Sequence, residues 1–459
     1  MTATAEEISP HRGRRWIEHW EPENEEFWNS TGKKIANRNL WFSILTEHIG
    51  FSIWSLWSVM VLFMGPKYGL SVGDKFLLTS TPTLVGSCVR IPYTFAVAKF
   101  GGRNWTIISA LLLLIPTIGA AIVLQPGTPL GVFLAIAVLG GVGGGNFASS
   151  MTNINAFFPE KAKGMALGLN AGGGNLGVAV IQLVGLLVIA TAGTTAPRII
   201  LFVYIPLIIV AATCSALFMD NLVSVKNDKK GMREVMKDAH SWVMAFLYIG
   251  TFGSFIGYSF AFGLVLQNQF GRTPLQAAYV TFLGPLLGSF SRPIGGWLAD
   301  RFGGGKVTFV NFVGMAVMTV LLIIASEAKS LALFTAAFIV LFVLTGIGNG
   351  STYKMIPAIF RTKAKAAIAA GADEATELLK ARKLSGALIG LAGAIGALGG
   401  LLINLAFRQS FISTKSGVSA FIGFLVFYGV CFAVTWAVYL RKSTAPVSEK
   451  GLALAGAQV

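Results

Sequence analysis

The sequence predicts an all-α membrane protein of twelve transmembrane helices, arranged as two pseudo-symmetric six-helix bundles. Three observations predict it: a composition suited to lipid, a series of apolar runs of membrane-spanning length, and an internal repeat. Of 459 residues, 54% are hydrophobic and 12% charged, with a mean hydropathy of +0.69. A soluble domain carries about 25% charged residues. The 54 glycines lie inside apolar stretches, as in closely packed membrane helices.

Apolar runs of about 20 residues mark the spans. They fall near 40–64, 76–98, 105–125, 130–157, 166–193 and 199–219, then 242–267, 276–298, 307–326, 330–360, 384–407 and 418–440. The polar stretch 220–241 divides them into six and six. The expected organisation is therefore an N-terminal segment 1–39, a first bundle 40–219, a linker 220–241, a second bundle 242–440 and a tail 441–459. Residues 1–39 are polar with acids among the bases, so no cleaved leader is expected before the first span. Lys and Arg placement orients the chain. With both termini inside, the inner segments hold 26 of the 36 basic residues and the outer loops 7; Arg90, Arg292 and Lys354 lie within spans. Both ends are expected in the cytoplasm of a bacterium. This asymmetry accounts for the formal charge of +16 better than a nucleic-acid surface does, since no basic stripe with interleaved aromatics is present. Cys88, Cys214 and Cys431 sit in separate apolar segments without metal-ligand spacing, so neither a metal nor a disulfide is expected.

The repeat has an offset of 202 residues. GSCVRIPYTFAVAKFGG runs from Gly86 to Gly102 and GSFSRPIGGWLADRFGG from Gly288 to Gly304, each in the second span of its half. Duplicated halves with a site between them at mid-membrane is a transporter plan, which a channel or receptor does not need. The repeat places Arg90 and Arg292 at equivalent positions near one axis. An arginine at the centre of a span costs roughly 2.5–3.5 kcal/mol, so it faces a partner or a polar cavity. Glu47 is the only acid well inside a predicted span, and one carboxylate does not neutralise two guanidiniums. The pair therefore reads as an anion site, and its planar forks suit flat oxyanions such as carboxylate or nitrate.

Beyond these residues the sequence resembles the NarK-type nitrate/nitrite porters of the major facilitator superfamily over nearly its whole length. The resemblance rests on IANRNLW (35–41), RIPYTF (90–95), GGNFASSMTNINAFFP (144–159), GMALGLNAGGGNLG (164–177), YIGTFGSFIG (248–257), FGGGKVTFVNF (302–312) and GALIGLAGAIGALGG (386–400). It implies the major facilitator fold, nitrate and nitrite as substrates, alternating access in the inner membrane, a monomer, and no cofactor. It also implies that Arg90 and Arg292 clasp the anion, that Phe147 and Phe252 sandwich it, that Phe51 walls the site, and that Tyr248 donates a hydroxyl. Tyr248 and Phe252 are four residues apart and share a helical face. Asn170 and Asn175 match polar positions of the first glycine signature, and Asn153 is a further polar residue of span four. Gly168, Gly172, Gly396 and Gly400 stand at small-xxx-small spacing for close helix approach. Gly393 stands where relatives place a serine able to touch the anion, leaving Gly390 a backbone or packing contact.

Two more departures bear on energy coupling. Glu47 and His48 lie inside span one, Glu47 four residues before Phe51, and Lys354 replaces a neutral amide in span ten. The superfamily's cavity is lined by helices one, four, seven and ten, so Glu47 and Lys354 could meet. Protonating Glu47 would make the site more positive and couple protons to the anion; the alternative is a static pair that only balances charge. His48 points about 100° away on the helix. Asp300 and Arg301, in the loop DRFGGGK, are expected to tie neighbouring helices, and the helix-like, charged stretch 363–383 is expected to be a solvated cytoplasmic linker. A facilitator for formate or another small organic acid is the rival substrate reading. A sensor or a pore lacks its motif, and no catalytic pair or nucleotide loop points to an enzyme.

Overall fold

The computed structural model describes residues 15–226 and 229–441. Twelve long helices follow in order: α1 Glu25–Phe63, α2 Val72–Phe100, α3 Gly102–Val123, α4 Leu130–Phe157, α5 Glu160–Thr195 and α6 Arg198–Phe218. Then come α7 Ala239–Phe270, α8 (Pro274–Thr281 continued by Leu283–Phe302), α9 Gly304–Glu327, α10 Leu331–Ala369, α11 Glu374–Thr414 and α12 Val418–Leu440. Ten are long and apolar enough to cross a membrane by composition alone. The two that fall short, α2 and α8, are the ones that carry Arg90 and Arg292, together with Pro82, Pro92 and Pro293.

Helix boundaries repeat the internal symmetry. A capping box opens α2 at Ser71 and Asp74, and another opens α8 at Thr273 and Gln276. The FGG element ends both helices: Gly101 at φ 88° turns α2 into α3, and Gly303 at φ 91° turns α8 into α9. An L side chain is strained at these angles, which is why glycine recurs there. The halves meet along α2–α11 and, by the same symmetry, α8–α5, while α1 lies along α5 and α8 along α10. Peripheral helices keep apolar stripes exposed at helical spacing, as in Ile108, Leu111, Ile115, Ile118 and Ile122 of α3. Such a stripe suits lipid as solvent. By contrast α1 and α7, next to the axis, are almost wholly buried.

Two features add to the sequence reading. The stretch 363–383 is helical on both sides of a turn at Gly371, because α10 and α11 run on past the apolar zone. Alanine, glutamate and lysine there favour helix, and the helix-like linker takes the form of a solvated helical hairpin. Ahead of α1, β1 (Trp16–Ile17) pairs in parallel with β2 (Asn221–Leu222), fastening the segment before α1 to the one after α6. Asp220 fixes this junction by accepting from Arg15, Arg38 and Asn39 at 3.3, 2.5 and 3.1 Å.

A cavity of about 1330 Å³ separates the halves on the face that carries this junction and the 370–373 turn. Lys163 and Gly168 of α5 line one side; Arg292, Tyr353, Lys354 and Arg382 line the other. Toward the opposite face the halves are in contact, with Leu62 of α1 packed on Gly263 of α7.

Candidate functional site

Arg90 projects from α2 into the closed centre and is 1% exposed. Its Nε donates to the Gly144 carbonyl of α4 at 3.0 Å, and its Nη1 to the Gly393 carbonyl of α11 at 2.6 Å. The guanidinium thus links the two halves through backbone oxygens. Nη2 is buried and has no partner among the described residues. The guanidinium carbon lies 4.7 Å from the Phe147 ring centroid, 5.0 Å from Phe252, 5.4 Å from Trp54 and 5.9 Å from Phe51. Cation–π contacts of about 0.5–2 kcal/mol each offset part of the desolvation of the buried charge.

A stack of rings leads from Arg90 to Arg292. Phe51 and Phe147 are 6.2 Å apart, Phe147 and Phe252 6.1 Å, and Phe252 and Tyr248 5.2 Å with planes 11° apart. Tyr248 Oη then accepts from Arg292 Nη2 at 3.3 Å. A hydroxyl that accepts retains its own proton to donate, so Tyr248 can serve a ligand while holding Arg292. Arg292 lies 5.3 Å over the Tyr353 ring, and its Nη1 is buried without a partner among the described residues. Each half therefore contributes one arginine with an unused N–H group, and four buried phenyl or phenol rings join them. Two desolvated guanidiniums so arranged can take a small, flat anion.

Glu47 is buried beside this centre, and its partners do not include Lys354. Its Oε2 accepts from Ser150 Oγ of α4 and from Asn170 Nδ2 of α5, the latter at 2.7 Å. Lys354 is instead paired with Asp300 at 2.7 Å, on the cavity wall between α10 and α8. Glu47 and Lys354, which the sequence allows to meet, thus stand in two separate arrangements. Lys354 lines the cavity with its side chain 39% exposed, whereas Glu47 is buried under α4 and α5. Asp300 does tie neighbouring helices, but Arg301 does not: it lies over Trp297 and Phe302 of its own helix. Asn170 is turned to Glu47 and Ser150. Asn175 is buried with both amide atoms unpartnered among the described residues, as is Asn153, which lies against Gly102. His48 packs, its Nδ1 3.1 Å from the Gly173 carbonyl.

The glycine signatures divide. A Cβ at Gly396 would sit 2.5 Å from the Tyr248 ring, so the second signature seats that tyrosine. Gly400 abuts Ile256 and Thr83. Gly168 and Gly172, expected to mediate close helix approach, face open space instead. The face of α5 that meets α1 is displaced by one to two positions, at Gly173, Gly174 and Gly177, since helix rotation decides which of a run of glycines makes contact. Gly390 has room beside Thr94, and the contribution of Gly393 is its carbonyl. Sequence reasoning missed Trp54, Ser150 and Tyr353. Tyr353 and Lys354 are adjacent, and attention to the charge hid the phenol.

Twelve helices in two symmetry-related halves, separated by a cavity open on one face only, define a secondary transporter. Residues 40–402 match the Major Facilitator Superfamily model. The nitrate/nitrite transporter NarU of Salmonella typhimurium is 39% identical over 94% of this chain and 97% of its own, and NarU of Escherichia coli 38% over the same shares. The probable nitrate/nitrite antiporter NarK2 of Thermus thermophilus is 32% identical over 93% and 97%. A solved D-xylose-proton symporter superposes with a TM-score of 0.62 at 15% identity, over 88% of this chain and 97% of the other, a likeness of fold. The chain belongs to the NarK-type nitrate/nitrite porter family of the major facilitator superfamily.

Proposed function

We propose that this protein moves nitrate and nitrite across the bacterial cytoplasmic membrane by alternating access, with proton uptake at Glu47 driving nitrate inward. The observation that carries the reading is the pair of buried guanidiniums, one per half, each with an unused N–H group and joined by aromatic rings. Nitrate is planar and weakly hydrated, so it exchanges water for ring edges and guanidinium donors at little cost. Strongly hydrated dianions lose far more on entering such a site. NarU relatives named as nitrate/nitrite transporters support the same substrates. The excess of Lys and Arg in the segments at the cavity face supports a topology with both termini in the cytoplasm, on which this conformation is inward-open.

Glu47 supports the proton step through its hydrogen bonds. Ser150 and Asn170 both donate to Oε2, while Oε1 has no partner among the described residues. A proton can join Oε1 without disturbing either donor. It would leave the two arginines less compensated and the site more attractive to an anion. Nitrate/nitrite exchange is the second reading, favoured by the antiporter name of the Thermus relative. Proteoliposomes distinguish them. An acid-outside pH gradient is expected to accumulate nitrate in the absence of internal nitrite, and Glu47→Gln to abolish that drive while nitrate/nitrite exchange continues. Uptake that ignores the gradient and requires preloaded nitrite identifies an exchanger.

A further inference from the structure

Tyr353 on α10 adds a further polar group to the centre: its ring lies under Arg292, and its hydroxyl has had no part in the arrangement already described. Its hydroxyl is buried and has no hydrogen-bond partner among the described residues. Leaving a buried hydroxyl unpaired costs on the order of 1–3 kcal/mol, so such a group awaits a ligand. Its ring faces Arg292 at 5.3 Å and Tyr248 at 6.1 Å, and Tyr353 shares the cavity lining with Arg292. Arg90, Tyr248, Phe147 and Phe252 do not line the cavity. Tyr353 therefore approaches the centre from the open side, whereas Arg90 approaches it through the ring stack.

We propose that the Tyr353 hydroxyl donates to the bound anion and sets its preference for nitrate over nitrite. The inference rests on the nitrate/nitrite reading above. A bent anion with two oxygens uses both on the free N–H groups of Arg90 and Arg292. Tyr248, bonded to Arg292 on the ring side, shares the oxygen that Arg292 holds; a trigonal anion presents a third oxygen in the same plane, and the donor left on the cavity side is Tyr353. Nitrite thus leaves this hydroxyl unpaired, and nitrate satisfies it. A site that hydrogen-bonds one ligand discriminates against an analogue lacking the matching atom by leaving a buried group unsatisfied.

Tyr353→Phe removes the hydroxyl and keeps the ring over Arg292. Purified wild type and variant in proteoliposomes are compared for nitrate and nitrite apparent affinities by counterflow, both anions in each preparation. Nitrate affinity is expected to fall about tenfold or more, the scale of a hydrogen bond to a charged group. Nitrite affinity is expected to change less than twofold, and its retention shows that the variant is folded and inserted. An unchanged nitrate-to-nitrite ratio, or an equal loss of both, overturns the inference. A wild type that transports neither anion instead overturns the substrate reading beneath it.

Discussion

Arg90→Lys tests whether the centre is a shaped anion clasp or only a positive charge. The guanidinium performs three tasks at once: Nε on the Gly144 carbonyl, Nη1 on the Gly393 carbonyl, and Nη2 free. A lysine ammonium keeps the charge but is a single point, without a planar fork to span both carbonyls and still present an N–H group to a ligand. If it serves the carbonyls, the anion loses one charge-assisted hydrogen bond, about 1.5–3 kcal/mol. That is roughly a ten- to hundredfold loss of affinity. If it serves the anion, a buried carbonyl between the halves goes unsatisfied at about 1–3 kcal/mol, and the inward-open state loses that much stability. The assay is nitrate counterflow in proteoliposomes with thermal unfolding of the same detergent-solubilised samples. Normal insertion with at least tenfold weaker nitrate uptake is expected. Uptake and melting both within twofold or one degree of wild type would refute the clasp.

Other perturbations test separate parts of the molecule. Phe147→Ala or Phe252→Ala removes a ring at 4.7 or 5.0 Å from the Arg90 guanidinium; loss of about 1–2 kcal/mol of cation–π support weakens nitrate roughly five- to thirtyfold and admits bulkier anions, read by competition in counterflow. Lys354→Gln breaks an ion pair whose side chains are 39% and 60% exposed, worth about 0–1 kcal/mol, so melting and gradient-driven uptake should both survive. Loss of that drive would return Lys354 to the coupling machinery. Gly253→Ala places a Cβ 2.7 Å from Gly399 Cα and 2.8 Å from the Gly396 carbonyl, where backbone has no room to yield; destabilisation by about 1–3 kcal/mol, seen as earlier melting, is expected.

What was legible in the sequence follows from which signals are local. Span length, Lys and Arg asymmetry and the FGG repeat are properties of single segments, and they predict the twelve helices and their division. Arg90 and Arg292 were visible because charge in an apolar run has few explanations. Partners were harder. Ser150 is one of many hydroxyls in the chain, and only the packing of α4 against α1 brings it to Glu47. The Lys354–Asp300 pair depends on side-chain reach along the cavity wall, which helix membership alone does not fix. Gly168 and Gly172 carried the expected spacing but not the rotation that decides which face of α5 meets α1.

The separation of Glu47 from Lys354 changes what coupling requires. A Glu47–Lys354 pair would cross between halves, so its rupture would itself be part of the reorientation. With Ser150 and Asn170 as partners, the carboxylate is held by α1, α4 and α5, all within the first half. Its charge can then change without moving one half against the other. An anion held as proposed does the opposite, since Arg90 belongs to the first half and Arg292 to the second. Arg90 also already reaches across to the Gly393 carbonyl. On the proposed coupling, proton and anion communicate through the charges on Arg90 and Arg292 and the rings that join them. Linkage makes that communication reciprocal: a proton that strengthens anion binding by some factor is held more tightly by the same factor once the anion is bound, typically 5–150-fold. Removing the carboxylate leaves the cross-half clasp intact, so the uncoupled protein should still exchange one anion for another.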